Sequence, residues 1–164
     1  MRDAVFLGPP VPFGDDLLVI VASRDELRLL QIHVVNPDAA RPDVRLVWSQ
    51  KIGRLDAQRG LSETIRLSGL VPTYAAGVVV CPTGIGEIVA LDPSARGLLW
   101  RAKYERGNRA FQYSLGFLDS TPRIVGDAVV FASRDSSGCD VLRFANGITP
   151  LGAAVSSRCV FDCG

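Results

Sequence analysis

The stretch Val71-Pro72-Thr73-Tyr74-Ala75-Ala76-Gly77-Val78-Val79-Val80-Cys81-Pro82-Thr83-Gly84-Ile85-Gly86-Glu87-Ile88-Val89-Ala90-Leu91-Asp92-Pro93-Ser94-Ala95-Arg96-Gly97-Leu98-Leu99-Trp100-Arg101-Ala102-Lys103-Tyr104 decides the fold. Its apolar runs are short and rich in β-branched residues, and clusters of Gly, Pro, Asp and Ser separate them. Gly and Pro punctuate a chain where the backbone needs a positive or a fixed φ, so each cluster reads as a turn. The spacing predicts strands over 71–76, 78–81, 87–91 and 98–104, with turns at Gly77, 82–86 and 92–97. That is a four-stranded antiparallel meander within about 35 residues, long enough for the usual ~5–6-residue strands and their turns.

Working outward, the pattern recurs. Val11-Pro12 precedes Leu17-Leu18-Val19-Ile20-Val21, Val71-Pro72 precedes Val78-Val79-Val80-Cys81, and Thr121-Pro122 precedes Ala128-Val129-Val130-Phe131. The prolines lie 60 and then 50 residues apart. The third copy predicts strands over 121–125, 128–132 and 140–145, with a turn at Asp135-Ser136-Ser137-Gly138 and a hairpin signal at Asn146-Gly147. The first copy has a longer last loop, 36–43, before a strand at 44–48.

The second strand of each copy is apolar at nearly every position, so both of its faces must be buried. Small sheets stacked face to face around an axis achieve this, as does a two-sheet sandwich; periodic recurrence favours the first. The expected architecture is therefore all-β: a β-propeller of four-stranded antiparallel blades with about three blades present, an incomplete ring. The blades are expected at 8–52, 70–104 and 120–152, making 1–152 the repeat region, with 153–164 an unassigned C-terminal tail. Since propellers have about four blades or more, three leave apolar faces that further blades, or a second copy in a six-bladed homodimer, must cover.

At this point the residues resemble a known family. Ala90-Leu91-Asp92-Pro93-Ser94-Ala95-Arg96-Gly97-Leu98-Leu99-Trp100 is similar to the A-x-D-x-x-T-G-x-x-x-W tryptophan-docking motif of the pyrroloquinoline quinone (PQQ) repeat. Ala95 and Arg96 stand where Thr and Gly are usual, and the glycine follows one place later at Gly97. The resemblance implies that Trp48 and Trp100 pack between blades, with Ala90 and Asp92 as further repeat positions and Asp92 shaping the turn. The first copy keeps its tryptophan but carries Val34-Val35-Asn36 in place of Ala-x-Asp. The third has lost both, and the likeness covers roughly 8–152. Family members include quinoprotein dehydrogenases, which hold PQQ and calcium at the ring axis, and non-catalytic envelope proteins that use the ring for docking. The adjacent cysteine pair of the alcohol dehydrogenases is missing, which counts against catalysis.

Composition narrows the function classes. Of 164 residues, 48% are hydrophobic and 21% charged, a folded globular balance. The net charge is +1 with no run of like charges, so neither nucleic acid nor an anionic membrane surface is an expected partner. No apolar run approaches the ~20 residues that span a bilayer. The first residues reach Gly8-Pro9-Pro10 before a signal-peptide segment develops. The expectation is a cytoplasmic protein, or an internal fragment of a periplasmic or cell-envelope protein whose export signal lies upstream.

Candidate chemistry is sparse. Cys81, Cys139, Cys159 and Cys163 form no CxxC pair, and His33 is more than forty residues from the nearest of them, so structural zinc spacings are absent. Cys81 reads as a small buried hydrophobe. In an oxidising compartment, Cys159 and Cys163 could pair with each other or with Cys139. Gly84-x-Gly86 lacks the third glycine and the helix of a dinucleotide cradle and reads as a turn. His33 lies on an apolar strand with no evident partner and receives no role. Asp15-Asp16, Asp25-Glu26, Asp92, Asp119 and Asp135 fall at turns, where Asp bends the chain. The stretch 53–69, with Arg54, Asp56, Arg59, Glu63 and Arg66, is the charged segment without strand character.

The expected function is a non-catalytic binding or scaffold module that docks a protein partner through ring-face loops, with no cofactor. The alternative is a fragment of a PQQ-dependent quinoprotein dehydrogenase, which would require PQQ with calcium. A sandwich carbohydrate-binding module, the third option, would show an exposed row of aromatics, whereas only 7% of residues are aromatic.

Overall fold

The computed structural model describes residues 4–55, 69–103, 121–126, 128–132, 139–143 and 155–159. These form three antiparallel sheets with no helix among the described residues. The first sheet contains β1 (Ala4–Phe6), β2 (Val11–Phe13), β3 (Asp16–Ser23), β4 (Glu26–Val35) and β5 (Asp43–Arg54). The second is β6 (Thr73–Ala75), β7 (Val78–Pro82), β8 (Glu87–Asp92) and β9 (Gly97–Lys103). The third is β10 (Arg123–Val125), β11 (Ala128–Ala132), β12 (Cys139–Arg143) and β13 (Val155–Cys159). Each runs as a meander in chain order, the arrangement of successive propeller blades.

In the middle blade, residues of β7 and β8 are buried alternately in two different cores. Val79, Cys81, Val89 and Leu91 pack with Leu18, Ile20, Leu27, Leu29, Trp48 and Ile52 of the first blade. Val78, Val80, Ile88 and Ala90 pack with Trp100 and with Val129 and Phe131 of the third. Side chains alternate faces along a strand, so a run of apolar residues serves two neighbours at once. Burying a side chain of this size contributes about 1.5–3 kcal/mol. Polar ties supplement the packing: the Thr73 hydroxyl donates to the Pro122 carbonyl, and Arg101 Nη2 donates to the Ile52 carbonyl at 3.3 Å.

Several boundaries differ from the sequence reading. The first sheet starts at residue 4, not 8, because Gly8-Pro9-Pro10 interrupts its inner strand and both halves pair with β3. Pro12 is accommodated because β2 is an edge strand, where a missing N–H costs no ladder bond. The last strand of the first blade runs over Asp43–Arg54 and not 44–48, absorbing Gly53 and Arg54 from the stretch read as a connector. Gly53 is closely packed there: a Cβ would lie 3.2 Å from both Ile85 Cδ1 and Leu27 Cδ1, and those side chains would have to give by a few tenths of an ångström to admit one. The outer strand of the third blade is Val155–Cys159, inside the segment left as an unassigned tail. Its polar sequence, Val155-Ser156-Ser157-Arg158-Cys159, has no apolar run to announce it. Asp119, Asp135, Asn146-Gly147, Cys163 and residues 56–68 lie outside the described residues.

Candidate functional site

The β2–β3, β6–β7 and β8–β9 turns lie at one end of the blades and the β3–β4 and β7–β8 turns at the other. Two polar constellations occupy opposite ends of the first blade. At one, Asp16 opens β3 and pairs in register with His33 of β4, which in turn pairs with Arg45 of β5. Asp16 lies on the same face of its strand as Leu18 and Ile20, and Gln31 and His33 share the face of Leu27 and Leu29. The cluster therefore continues the apolar interface with the second blade to its polar end.

His33 Nδ1 lies 2.7 Å from Asp16 Oδ1, and Gln31 Nε2 donates to Asp16 Oδ2 at 2.6 Å. The Asp16 side chain is 17% exposed and that of His33 35%. Hydrogen bonds from Gln31 and His33 favour the charged form and hold the Asp16 carboxyl below its ordinary value, against a smaller opposing effect of burial. An ionised carboxylate can only accept, so opposite ionised Asp16 the His33 Nδ1 is the donor of this bond. An aspartate orients imidazole in this way in hydrolytic triads, but among the described residues no hydroxyl or thiol is hydrogen-bonded to His33. His33 was read as lacking a partner; Asp16, seventeen residues earlier, becomes its neighbour only through strand register.

At the opposite end, Glu26 binds Arg28 Nη1 at 2.6 Å and Lys51 Nζ at 2.8 Å, while Asp25 binds Arg54 Nε at 3.0 Å. These hydrogen bonds hold both carboxyls below their ordinary values, with Lys51 the main cause for Glu26 and Arg54 for Asp25. Arg28 Nε also donates to Ser49 Oγ at 2.9 Å. Ser23, Arg24, Asp25, Glu26 and Arg28 line a shallow, open depression at the β3–β4 turn. Beside it, the Leu55 N–H donates to the Asp25 carbonyl at 2.7 Å, fixing where the chain leaves β5. Asp16 and Glu26, read as turn residues, are thus the first residues of β3 and β4, where Asp16 pairs with His33 and Glu26 with Ser23.

The other candidate positions are structural in their contacts. Trp48 and Trp100, 9% and 8% exposed, lie in the first and second inter-blade cores respectively. Asp92 Oδ1 accepts from the Ser94 and Ala95 N–H groups at 2.8 and 3.0 Å, closing the β8–β9 turn. Ala90 pairs directly with Trp100. In the first blade the partner of Trp48 is Gln31, so Gln31, and not the Val34-Val35-Asn36 stretch, occupies the position of Ala90. Gly84 and Gly86, at φ +67° and +92°, form the β7–β8 turn, closed by hydrogen bonds from Thr83 Oγ1 and Thr83 N–H to the Glu87 carbonyl. Cys81 is fully buried, and desolvation pushes its thiol well above the ordinary value, making it inert as a nucleophile. Among the described residues no three His, Cys, Asp or Glu side chains lie together as a metal site.

No protein-family model and no curated protein matches the sequence. Among solved structures, the chain is similar to a europium-containing methanol dehydrogenase, with TM-score 0.52 and 14% identity, over 96% of this chain and 27% of the other. The fold is a β-propeller. Other similar chains are the Myxococcus xanthus glutaminyl cyclase, with TM-score 0.42, 13% identity and coverage of 88% and 49%, and BamB from Moraxella catarrhalis, with 0.33, 13%, 98% and 65%. The chain spans about a quarter of the dehydrogenase's length.

Proposed function

We propose that this partial propeller is a non-catalytic binding module of the PQQ-like repeat type that docks a protein partner through loops at one end of the blades. The charged β3–β4 turn is the main support. It combines both charge signs in Arg24, Asp25, Glu26 and Arg28, and the flanking sheet is locked by inter-blade packing, which is how a rigid scaffold presents recognition loops. A partner segment with alternating charge would match it. Further blades or a second copy of the chain would complete the ring, and a cell-envelope location would follow from the repeat type.

The alternative is that the chain belongs to a quinoprotein dehydrogenase. The sequence counts against it: no two of the cysteines are adjacent, unlike the pair carried by the quinoprotein alcohol dehydrogenases. The two readings are separated by placing a photo-cross-linking amino acid at Arg24 in the full-length protein in its native cells. A discrete protein adduct, weakened by Glu26→Arg, is expected. Calcium- and PQQ-dependent alcohol oxidation by the purified full-length protein would overturn the binding-module reading.

A further inference from the structure

Cys139 and Cys159 are direct cross-strand partners, the last pair of the β12–β13 ladder. Directly opposed residues of an antiparallel pair have Cα atoms about 4.5–5.5 Å apart, inside the ~4.4–6.8 Å window that a disulfide requires. They hold one register position, Cys139 at the start of β12 and Cys159 at the end of β13. The chain has four cysteines, and two of them meet at one register position. Cys81 is excluded as a competitor because it is sealed between the first two blades.

We propose that Cys139 and Cys159 form a disulfide that staples the outer strand of the third blade to its neighbour. The reaction is thiol–disulfide exchange with a low-molecular-weight or protein disulfide, RSSR. One cysteine thiolate attacks RSSR, forming a mixed disulfide and releasing RS⁻; the other then attacks the mixed disulfide and releases the second RS⁻. Two cysteine thiols lose two protons and two electrons, and RSSR is reduced to two RSH. The bond secures a strand whose sequence, Val155-Ser156-Ser157-Arg158-Cys159, is mostly polar.

The test is to oxidise the folded full chain with excess oxidised glutathione, alkylate the remaining thiols in denaturant, and map tryptic peptides without reduction. Cleavage after Arg134, Arg143 and Arg158 leaves Cys139 in one peptide and both Cys159 and Cys163 in another. The expected product links the two peptides with Cys163 alkylated, persists in Cys163→Ser and is lost in Cys159→Ser. A Cys139–Cys163 or Cys159–Cys163 bond, or a fully alkylated product, would overturn the proposal. Reducing the wild-type chain should lower its Tm by roughly 5–10 °C, given the closed loop and the chain length. An unchanged Tm would count against a stapling role, and this readout needs no variant to fold.

Discussion

Ala90 and Trp100 stand opposite each other across the β8–β9 ladder, and a β-bulge begins immediately after Ala90. The first blade repeats the arrangement with Gln31 and Trp48, again with a bulge following the partner residue. A bulge inserts one extra residue and increases local twist. It re-aims the tryptophan strand at the same point in both blades. The small residue opposite Trp100 leaves room for the indole in a core it shares with Val129 and Phe131.

Enlarging that position should therefore be costly. Ala90→Leu is expected to destabilise the chain by about 1–3 kcal/mol through overpacking, and Trp100→Ala by about 3–5 kcal/mol through loss of buried area. Urea denaturation with far-UV circular dichroism reads both.

Arg96 occupies the place where the similar repeat carries glycine, and its φ is +53°. A left-handed conformation costs a non-glycine residue about 1–2 kcal/mol, while glycine's extra freedom in the unfolded chain offsets part of the gain. Arg96→Gly should therefore stabilise the protein by ~0.5–1 kcal/mol, seen as a higher urea midpoint with an unchanged slope.

Gly8 is demanded by contact. A Cβ there would lie 2.2 Å from the Leu70 carbonyl oxygen, and Leu70 N–H donates to the Leu7 carbonyl at 2.9 Å. Gly8→Ala must push the two backbones apart and is expected to cost at least ~2 kcal/mol, the range of severe single substitutions. A loss below the error of a denaturant titration would show that the inner strand yields freely.

The Asp16 carboxyl titrates below its ordinary value of 3.8 in the folded chain. Over that window the unfolded state binds more protons than the folded state, so stability rises with pH. The Asp16 contribution is fully present above 3.8 and is lost as pH falls through the lower folded value. Asp16→Asn should flatten the acid limb of a Tm-against-pH curve while lowering Tm near neutrality. A wild-type acid limb in the variant would place the effect on Asp25 or Glu26, whose carboxyls are also depressed.

Much of this protein was legible in its residues. Val78-Val79-Val80-Cys81 called for burial on two faces, Asp92-Pro93-Ser94 called for a turn, and the spaced recurrence called for stacked sheets, because periodicity and turn chemistry are local. Only the tertiary structure paired Asp16 with His33, matched Gln31 to Trp48, recruited Val155–Cys159 as a strand and set Cys139 against Cys159. Those relationships depend on register between strands joined by loops of variable length, and a shift of one residue would move every side chain to the opposite face. Local sequence specifies a strand's two faces; packing of the blades selects which residues meet across them.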